Sequence, residues 1–196
     1  FEIAGFMFDF NDVNTFESSN NSYYRKLSIE ALNDLAFLFE RNGHFEPAIL
    51  LTNYLYEINP NKYALNISSL YERMGQFDKA YQSLPKELNI GKNEKPSDIE
   101  VRYFQRKAAW IIISQRNEEL KQEGIDSLNK LEELLFSHNE DNNPLWLWHF
   151  YNIKANLHEW NNDLDEAIIF YKKCLSIPTL GAFEYGATFV NMAISY

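Results

Sequence analysis

The sequence is poor in the residues that build disulfide-bonded, turn-rich or membrane-spanning proteins. It contains a single cysteine, so no internal disulfide can form. Seven glycines and six prolines in 196 residues argue against a β-sandwich rich in tight turns and favour long helices. The longest strongly apolar run covers 108–113, far short of the ~20 residues that a transmembrane helix requires. We therefore expect a helical protein that does not insert into a membrane.

Positive charge is also scarce. Lysine and arginine number 18 against 28 aspartates and glutamates, which gives a formal net charge of −10. A phosphate backbone is bound by basic surfaces, so direct nucleic-acid binding is not expected. Apolar residues make up 45% and aromatic residues 16% of the chain, and this content excludes a disordered protein.

The start of the chain is not expected to be a signal peptide, and its end is not expected to be the end of the natural protein. The apolar start is interrupted by Glu2, Asp9 and Asp12, and it lacks the basic region and cleavage pattern of a signal peptide. We expect a cytoplasmic protein and leave open a signal sequence removed before Phe1. Because Tyr196 falls within an apolar helical pattern, we expect the natural protein to continue beyond it.

One spacing pattern recurs along the chain. Gly43 and Gly75 are 32 residues apart, and so are Ala48 and Ala80. A third copy follows at 151–178, and a fourth begins near the end of the sequence. Apolar residues three and four apart give each copy two amphipathic helices. The glycines end the first helix, where a positive φ is expected, and the short turn makes the two helices antiparallel neighbours.

These repeated residues resemble the tetratricopeptide repeat family, whose pattern combines a turn glycine, aromatics, small residues and a proline. The segment 29–62 fits nearly all of this pattern, and 163–178 fits its second half. The resemblance implies an all-α fold, an α-solenoid of antiparallel helix hairpins. The predicted units are 22–60, 61–95, 97–138, 144–180 and a partial one at 183–196. Residues 1–21 are predicted to be a non-repeat N-terminal arm or the end of a preceding element.

The middle of the chain departs from the regular spacing, because about two units of ~43 residues separate Ala80 from Ala167 instead of units of ~34. We predict one intermediate unit, whose first helix begins with a capping box at Ser97 and Glu100. Its extra length is predicted to lie in the linker 116–121.

Three further residues in and around this region carry local predictions. Gly124 is predicted to take the small position of the second helix in the intermediate unit. Pro85 should end or kink the second helix of the preceding unit, because proline removes a backbone hydrogen bond. Pro144 is predicted to start the first helix of the following unit.

The sequence offers little for catalysis. The four histidines lack ligand spacing, one cysteine cannot make a cysteine-based zinc site, and no phosphate-binding glycine loop occurs. We interpret Cys174 as a packing residue and not as a nucleophile. Asp163 and Asp165 fit a helix start better than acid–base catalysis or calcium binding. The prediction is a protein that is not an enzyme and has no cofactor and no metal.

Aromatic residues cluster at 146–160, where they could line a ligand groove or form part of the core. On a helix, Trp148 and Tyr151 would face the core. Trp146 and Trp160 are the candidates for exposure, and exposed tryptophans are frequent in interfaces.

In tetratricopeptide proteins the first helices line a concave face that grips a peptide or a partner helix. The resemblance therefore implies a protein or peptide partner. Asparagines among the groove positions could pair with a peptide backbone as both donor and acceptor. One family subtype clamps chaperone C-termini with a lysine and an asparagine, but these positions hold Asn33 and Phe37 here, so that clamp is not predicted. The groove candidates by register are Asn33, Phe37, Arg41, Asn66, Ser69, Arg73, Asn152 and Asn156.

Three functions follow from these residues. The first is a scaffold or adaptor that binds a protein or peptide. The second is the ligand- or peptide-sensing domain of a larger regulator or signalling ATPase. The third is an enzyme in which the repeats are an accessory module. We place the scaffold first, expect the flanking sequence to discriminate among the three, and leave homo-oligomer formation open.

Overall fold

The chain folds into a succession of α-helices. A computed structural model describes residues 22–88, 97–137 and 143–195, and within these ranges it contains nine α-helices and no strand. The predicted all-α fold is confirmed, whereas the predicted arm at 1–21 lies outside the described residues. The helices are α1 (Ser22–Arg41), α2 (Phe45–Ile58), α3 (Pro60–Arg73), α4 (Phe77–Gln82), α5 (Asp98–Ile112), α6 (Glu118–Phe136), α7 (Pro144–Trp160), α8 (Leu164–Leu175) and α9 (Ala182–Ile194).

Consecutive helices pack against each other in pairs. The pairs α1–α2, α3–α4, α5–α6 and α7–α8 form helix hairpins, and we call the odd-numbered members first helices and the even-numbered members second helices. First helices also contact one another, since α3 packs on α5 and α5 packs on α7. The described chain is therefore an α-solenoid. The surface built by its first helices is called the first-helix face below.

The turn inside each hairpin has one repeated geometry. Gly43 and Gly75 have φ angles of +76° and +70°, as the repeat pattern predicts. Gln115 and Asn162 occupy the same place in the next two hairpins, with φ angles of +46° and +60°. In all four turns the residue that follows donates its backbone N–H to a carbonyl oxygen five residues earlier. This bond satisfies a carbonyl at the end of the first helix, so the turn is kept even without glycine.

Gln115 is the residue in these turns for which the left-handed conformation is least suitable. Asparagine tolerates positive φ because its short side chain can hydrogen-bond to the local backbone, whereas the longer glutamine side chain does not offset the steric cost in this way. We expect Gln115→Gly to raise the free energy of unfolding by about 0.5–1 kcal/mol in urea denaturation. The reverse change, Gly75→Ala, should lower it by about 1 kcal/mol. An added Cβ at Gly75 meets no atom within 4 Å, so only backbone strain is tested. A less stable Gln115→Gly variant would contradict the expectation.

Close crossings between helices are made by residues with little or no side chain, as predicted. Ala48, Ala80 and Ala167 are fully buried on second helices. Gly124 takes this place on α6, where a Cβ would lie only 2.6 Å from Cγ2 of Ile111 on α5. Glycine at residue 124 is therefore required by the close approach of two helices and not by its backbone angle.

A buried apolar cluster joins α5, α6 and α7, and the aromatic segment of α7 contributes to it. Trp146, Tyr151 and Trp160 pack against this cluster as half-buried side chains. Trp148 is buried against Cys174, so its predicted place in the core is confirmed. The members of the cluster are Val101, Ala108, Ile112, Leu128, Leu131, Leu135, Phe150 and Ile153.

The extra length of the third hairpin lies elsewhere than predicted. The non-helical turn covers 113–117, and most of the predicted linker 116–121 belongs to α6, which begins at Glu118 and has 19 residues. Asn117 caps this helix by accepting a hydrogen bond from the backbone N–H of Leu120 at 2.8 Å. Glu118 and Glu119 occupy the first turn, where their charge complements the helix dipole. These signals start the helix early enough to absorb the additional residues.

The second hairpin is closed by a short helix and a bonded loop. Helix α4 has 6 residues and ends at Gln82, ahead of Pro85, as predicted. The hydroxyl of Tyr103, on α5, lies 3.0 Å from the carbonyl oxygen of Pro85 and 3.1 Å from that of Lys86. This contact attaches the loop to the next first helix.

The two predicted helix starts are also present. Ser97 and Glu100 form the full capping box at the start of α5, with reciprocal side-chain to backbone bonds. Pro144 is the first residue of α7, which Asn143 caps by accepting the backbone N–H of Leu145 at 3.0 Å. Both caps satisfy backbone donors that a helix leaves unpaired at its start.

Candidate functional site

Half of the predicted groove residues meet in one cavity on the first-helix face. Asn33 and Phe37 of α1 and Asn66 and Ser69 of α3 line a cavity of about 240 Å³. Arg102 of α5 closes it on the third side. We call this site the polar cavity. The repeat register places these side chains together because residues 33–37 and 66–69 occupy neighbouring turns of adjacent first helices.

Much of the hydrogen-bonding capacity in the polar cavity is unused. The side chains of Asn33 and Ser69 make no hydrogen bond to another described residue. The Oδ1 atom of Asn66 accepts a bond of 3.4 Å from Nη2 of Arg102, and its Nδ2 group has no partner among the described residues. An amide supplies two donors and two acceptor lone pairs. The cavity can therefore both donate to and accept from a bound molecule.

The predicted arginines are held in place by neighbouring side chains. Nη1 of Arg73 lies 2.6 Å from Oε1 of Glu40 on α1, and the guanidinium sits over the ring of Phe45 at 5.3 Å. Arg41 lies over the ring of Phe37 at 5.6 Å. Both guanidinium groups stand at the end of the first helices beside the polar cavity, where Glu40 also belongs to the lining.

A second ion pair repeats this arrangement one hairpin further along. Glu72, the neighbour of Arg73, accepts a bond of 2.6 Å from Nη1 of Arg106 on α5. Glu72 and Arg73 thus connect α3 to the first helices on either side of it. Each such exposed pair contributes little to stability, about 0–1 kcal/mol, but the two pairs neutralise the charges of Arg73 and Arg106.

The remaining groove candidates, Asn152 and Asn156, do not reach the polar cavity. Asn152 is buried on α7, and its Oδ1 atom accepts a bond of 3.2 Å from Nδ2 of Asn191 on α9. Asn156 donates its Nδ2 group to the backbone oxygen of Asn152 at 2.7 Å. Each of these amides therefore uses one of its two polar atoms in a bond to another asparagine or to its own helix.

A larger cavity lies between α5 and α7, and sequence reasoning did not single it out. Its volume is about 540 Å³, and we call it the apolar cavity. Its walls combine side chains from five helices, and the side chains that define its character are Phe77, Arg106, Trp110, Ile113, His149 and Phe183. Phe77 and Phe183 lie at the starts of α4 and α9, and Ile113 directly follows α5. None of these three residues holds one of the repeat positions on first helices from which the groove candidates were predicted. Asn152 is the predicted groove residue that belongs to its lining.

His149 is the titratable group of the apolar cavity that its environment perturbs most. Burial, with a smaller contribution from the charge of Arg106, lowers the pKa of His149 to about 4. The imidazole is therefore neutral at neutral pH, with one nitrogen as donor and the other as acceptor. It packs edge-on against Trp148 at 4.8 Å and makes no hydrogen bond to another described residue.

The groups considered for catalysis occupy structural places. Cys174 is fully buried, and burial raises the pKa of its thiol to about 12, so the thiolate that a nucleophile needs is suppressed. Within the described ranges, no three His, Cys, Asp or Glu side chains are grouped to hold a metal ion. None of the helices in those ranges is long and apolar enough to cross a membrane.

Hairpins stacked in series, with cavities between their first helices, define an α-solenoid repeat protein. The tetratricopeptide repeat family model matches residues 149–178, which comprise most of α7 and all of α8. The resemblance predicted from the sequence is thereby confirmed. No curated protein matches the chain. Domains of this family are in general non-catalytic and mediate protein–protein interactions, so the match indicates an interaction scaffold in that general sense.

Proposed function

We propose that this chain is a non-catalytic scaffold that binds an extended segment of another protein on its first-helix face. The observation that carries the proposal is the polar cavity, where Asn33, Asn66 and Ser69 present donors and acceptors that the described chain leaves unused. An extended peptide exposes backbone N–H and C=O groups whatever its sequence, and amide side chains pair with both.

The surroundings of the polar cavity support the same function. The ring of Phe37 is 52% exposed and offers apolar contact beside the amides. The nearby pair of Arg73 and Glu40 is partly exposed, so water screens it and a charged group of the partner can replace one member. Backbone pairing would give affinity, and these two features would give orientation.

The proposal is tested by removing the amides. We expect the double variant Asn33→Ala, Asn66→Ala to bind its partner about tenfold more weakly, since each lost hydrogen bond contributes about 0.5–1.5 kcal/mol. The partner is identified first by affinity capture with the unmodified chain and mass spectrometry. Its affinity for both proteins is then measured by titration calorimetry.

A matched control uses the same substitutions on second helices. Asn53 of α2 and Asn129 of α6 are both exposed, so Asn53→Ala with Asn129→Ala removes two amides away from the first-helix face. This variant should bind like the unmodified chain. If both double variants bind equally well, the partner does not use the polar cavity.

A further inference from the structure

The apolar cavity has large apolar side chains around an opening instead of a closed core. Phe77 is 51% exposed, Ile113 45% and Phe183 77%, and all three line the cavity. Phe77 also packs against Trp110, with ring centroids 5.0 Å apart and the ring planes tilted by 40°. Apolar surface exposed in a concave cluster of this kind marks an interaction site more often than isolated exposed residues do. The volume of about 540 Å³ falls in the usual range of ligand pockets.

The two charged side chains that line this cavity are paired with each other. Arg106 is paired with Glu72 at 2.6 Å, so neither charge is left alone at the wall. His149 carries no charge at neutral pH, as described above. Glu184 acts on His149 from outside the lining. A charged group entering the cavity would lose water without finding an unpaired opposite charge in the lining itself, and this desolvation is costly. The cavity is therefore complementary to an uncharged occupant.

Two polar groups in the lining retain hydrogen-bonding capacity. The ring nitrogens of His149 and the amide of Gln105 make no hydrogen bond to another described residue. A hydrocarbon alone would leave these groups unpaired, which is unfavourable once water is displaced. A peptide segment satisfies both requirements, because its side chain is apolar and its backbone carries donors and acceptors on either side.

A second copy of the chain is a poorer occupant than a different protein. The formal net charge of −10 on each copy opposes self-association over a neutral site. The same charge favours a partner whose residues around the apolar side chain are neutral or basic. The complementary occupant is thus a segment of a different protein, with a large apolar residue and no acidic neighbours.

We propose that the apolar cavity anchors one large uncharged apolar side chain of a bound peptide, with His149 and Gln105 bonding the adjacent backbone. The inference rests on the proposed function, since both sites would serve one partner on the first-helix face. It adds a specificity element, because backbone pairing at the polar cavity does not distinguish one sequence from another.

The probe is a library of random dodecapeptides displayed on phage and selected on the complete chain. We expect the enriched peptides to share a large uncharged apolar residue without acidic neighbours. Replacing that residue with alanine in a synthetic, fluorescein-labelled peptide should weaken binding about tenfold or more, as is typical of anchor residues. Enriched peptides with no such residue, or with an acidic one at the shared position, would overturn the proposal.

A pair of matched protein variants locates the binding site of these peptides. Ile113→Glu places a carboxylate in the cavity, whereas Ile169→Glu makes the same change on α8 at nearly the same exposure, 45% against 44%. Fluorescence anisotropy should show about tenfold weaker binding or more for Ile113→Glu and unchanged binding for Ile169→Glu. Circular dichroism of both variants checks that the helices are intact. Equal affinities for the two variants would refute the anchor site.

The polar-cavity variant separates failure of this inference from failure of the proposed function. If the peptides bind more weakly to Asn33→Ala, Asn66→Ala and normally to Ile113→Glu, the scaffold function stands and the anchor inference fails. If no peptide is enriched at all, both fail together. Weak binding in Ile113→Glu with normal binding in the double asparagine variant supports the anchor and contradicts the role proposed for the polar cavity.

Discussion

Leu131→Ala is expected to lower the free energy of unfolding by about 2–5 kcal/mol. Leu131 is fully buried on α6, within the cluster that joins α5, α6 and α7. Truncation removes apolar contacts on both sides and leaves a space that the surrounding helices fill only in part. Because small domains are stable by only about 5–15 kcal/mol, this loss is a large fraction of the total.

The effect of Leu131→Ala is measured by urea denaturation followed by circular dichroism, with Leu145→Ala as its matched control. Leu145 is 41% exposed at the start of α7, so the same truncation there should cost about 1 kcal/mol or less. Comparable losses in the two variants would show that residue 131 does not lie in the core described for the third hairpin.

A second measurement shows which helices lose stability in Leu131→Ala. In a repeat protein each unit contacts only its neighbours, so stability is approximately a sum of local contributions. Hydrogen exchange in Leu131→Ala should therefore speed up first for the backbone amides of α5, α6 and α7. The amides of α1 and α2 should be affected less, because α1 packs on α2, α2 packs on α3, and neither helix contributes a residue to the cluster around residue 131.

The sequence was sufficient to predict the hairpins because their signals are local. Gly43 and Gly75 fix two turns, and the alanines that follow fix the crossing points within each hairpin. The other two turns contain Gln115 and Asn162, which adopt the same left-handed geometry with the same backbone bonds. Asparagine tolerates this geometry without requiring it, and glutamine does not indicate it, so neither residue marks a turn as glycine does.

The polar cavity was predictable for a similar reason, and the apolar cavity was not. Asn33 and Asn66 hold neighbouring register positions on adjacent first helices, so the repeat alone brings them together. Asn152, a predicted groove residue, lines the apolar cavity, and its Oδ1 atom accepts a bond from Asn191, a contact that depends on how α9 docks. The apolar cavity likewise forms only where Phe183 of α9 lies close to α5 and α7. The spacing of apolar residues within one helix does not predict how that helix is placed against two others.

The last prediction tests the register from which the first-helix face is derived. Ala167 is fully buried on α8 and packs with Ala155 of α7 and with Tyr171. Ala167→Leu adds a bulky side chain where two helix backbones come close. Side chains or helices must shift to accept it, so we expect a loss of about 1–3 kcal/mol in the free energy of unfolding.

The control for Ala167→Leu is Ala31→Leu on α1, where the side chain is exposed and the same enlargement should change stability by no more than about 0.5 kcal/mol. Thermal unfolding of both variants decides between two arrangements of the fourth hairpin. A loss of thermal stability in Ala167→Leu alone means that residues 155 and 167 face each other. Because residues 149, 152 and 155 share α7, this orientation places Asn152 and His149 toward the neighbouring first helices. If Ala167→Leu were as stable as Ala31→Leu, α7 would be rotated, and the assignment of His149 to the apolar cavity would be wrong as well.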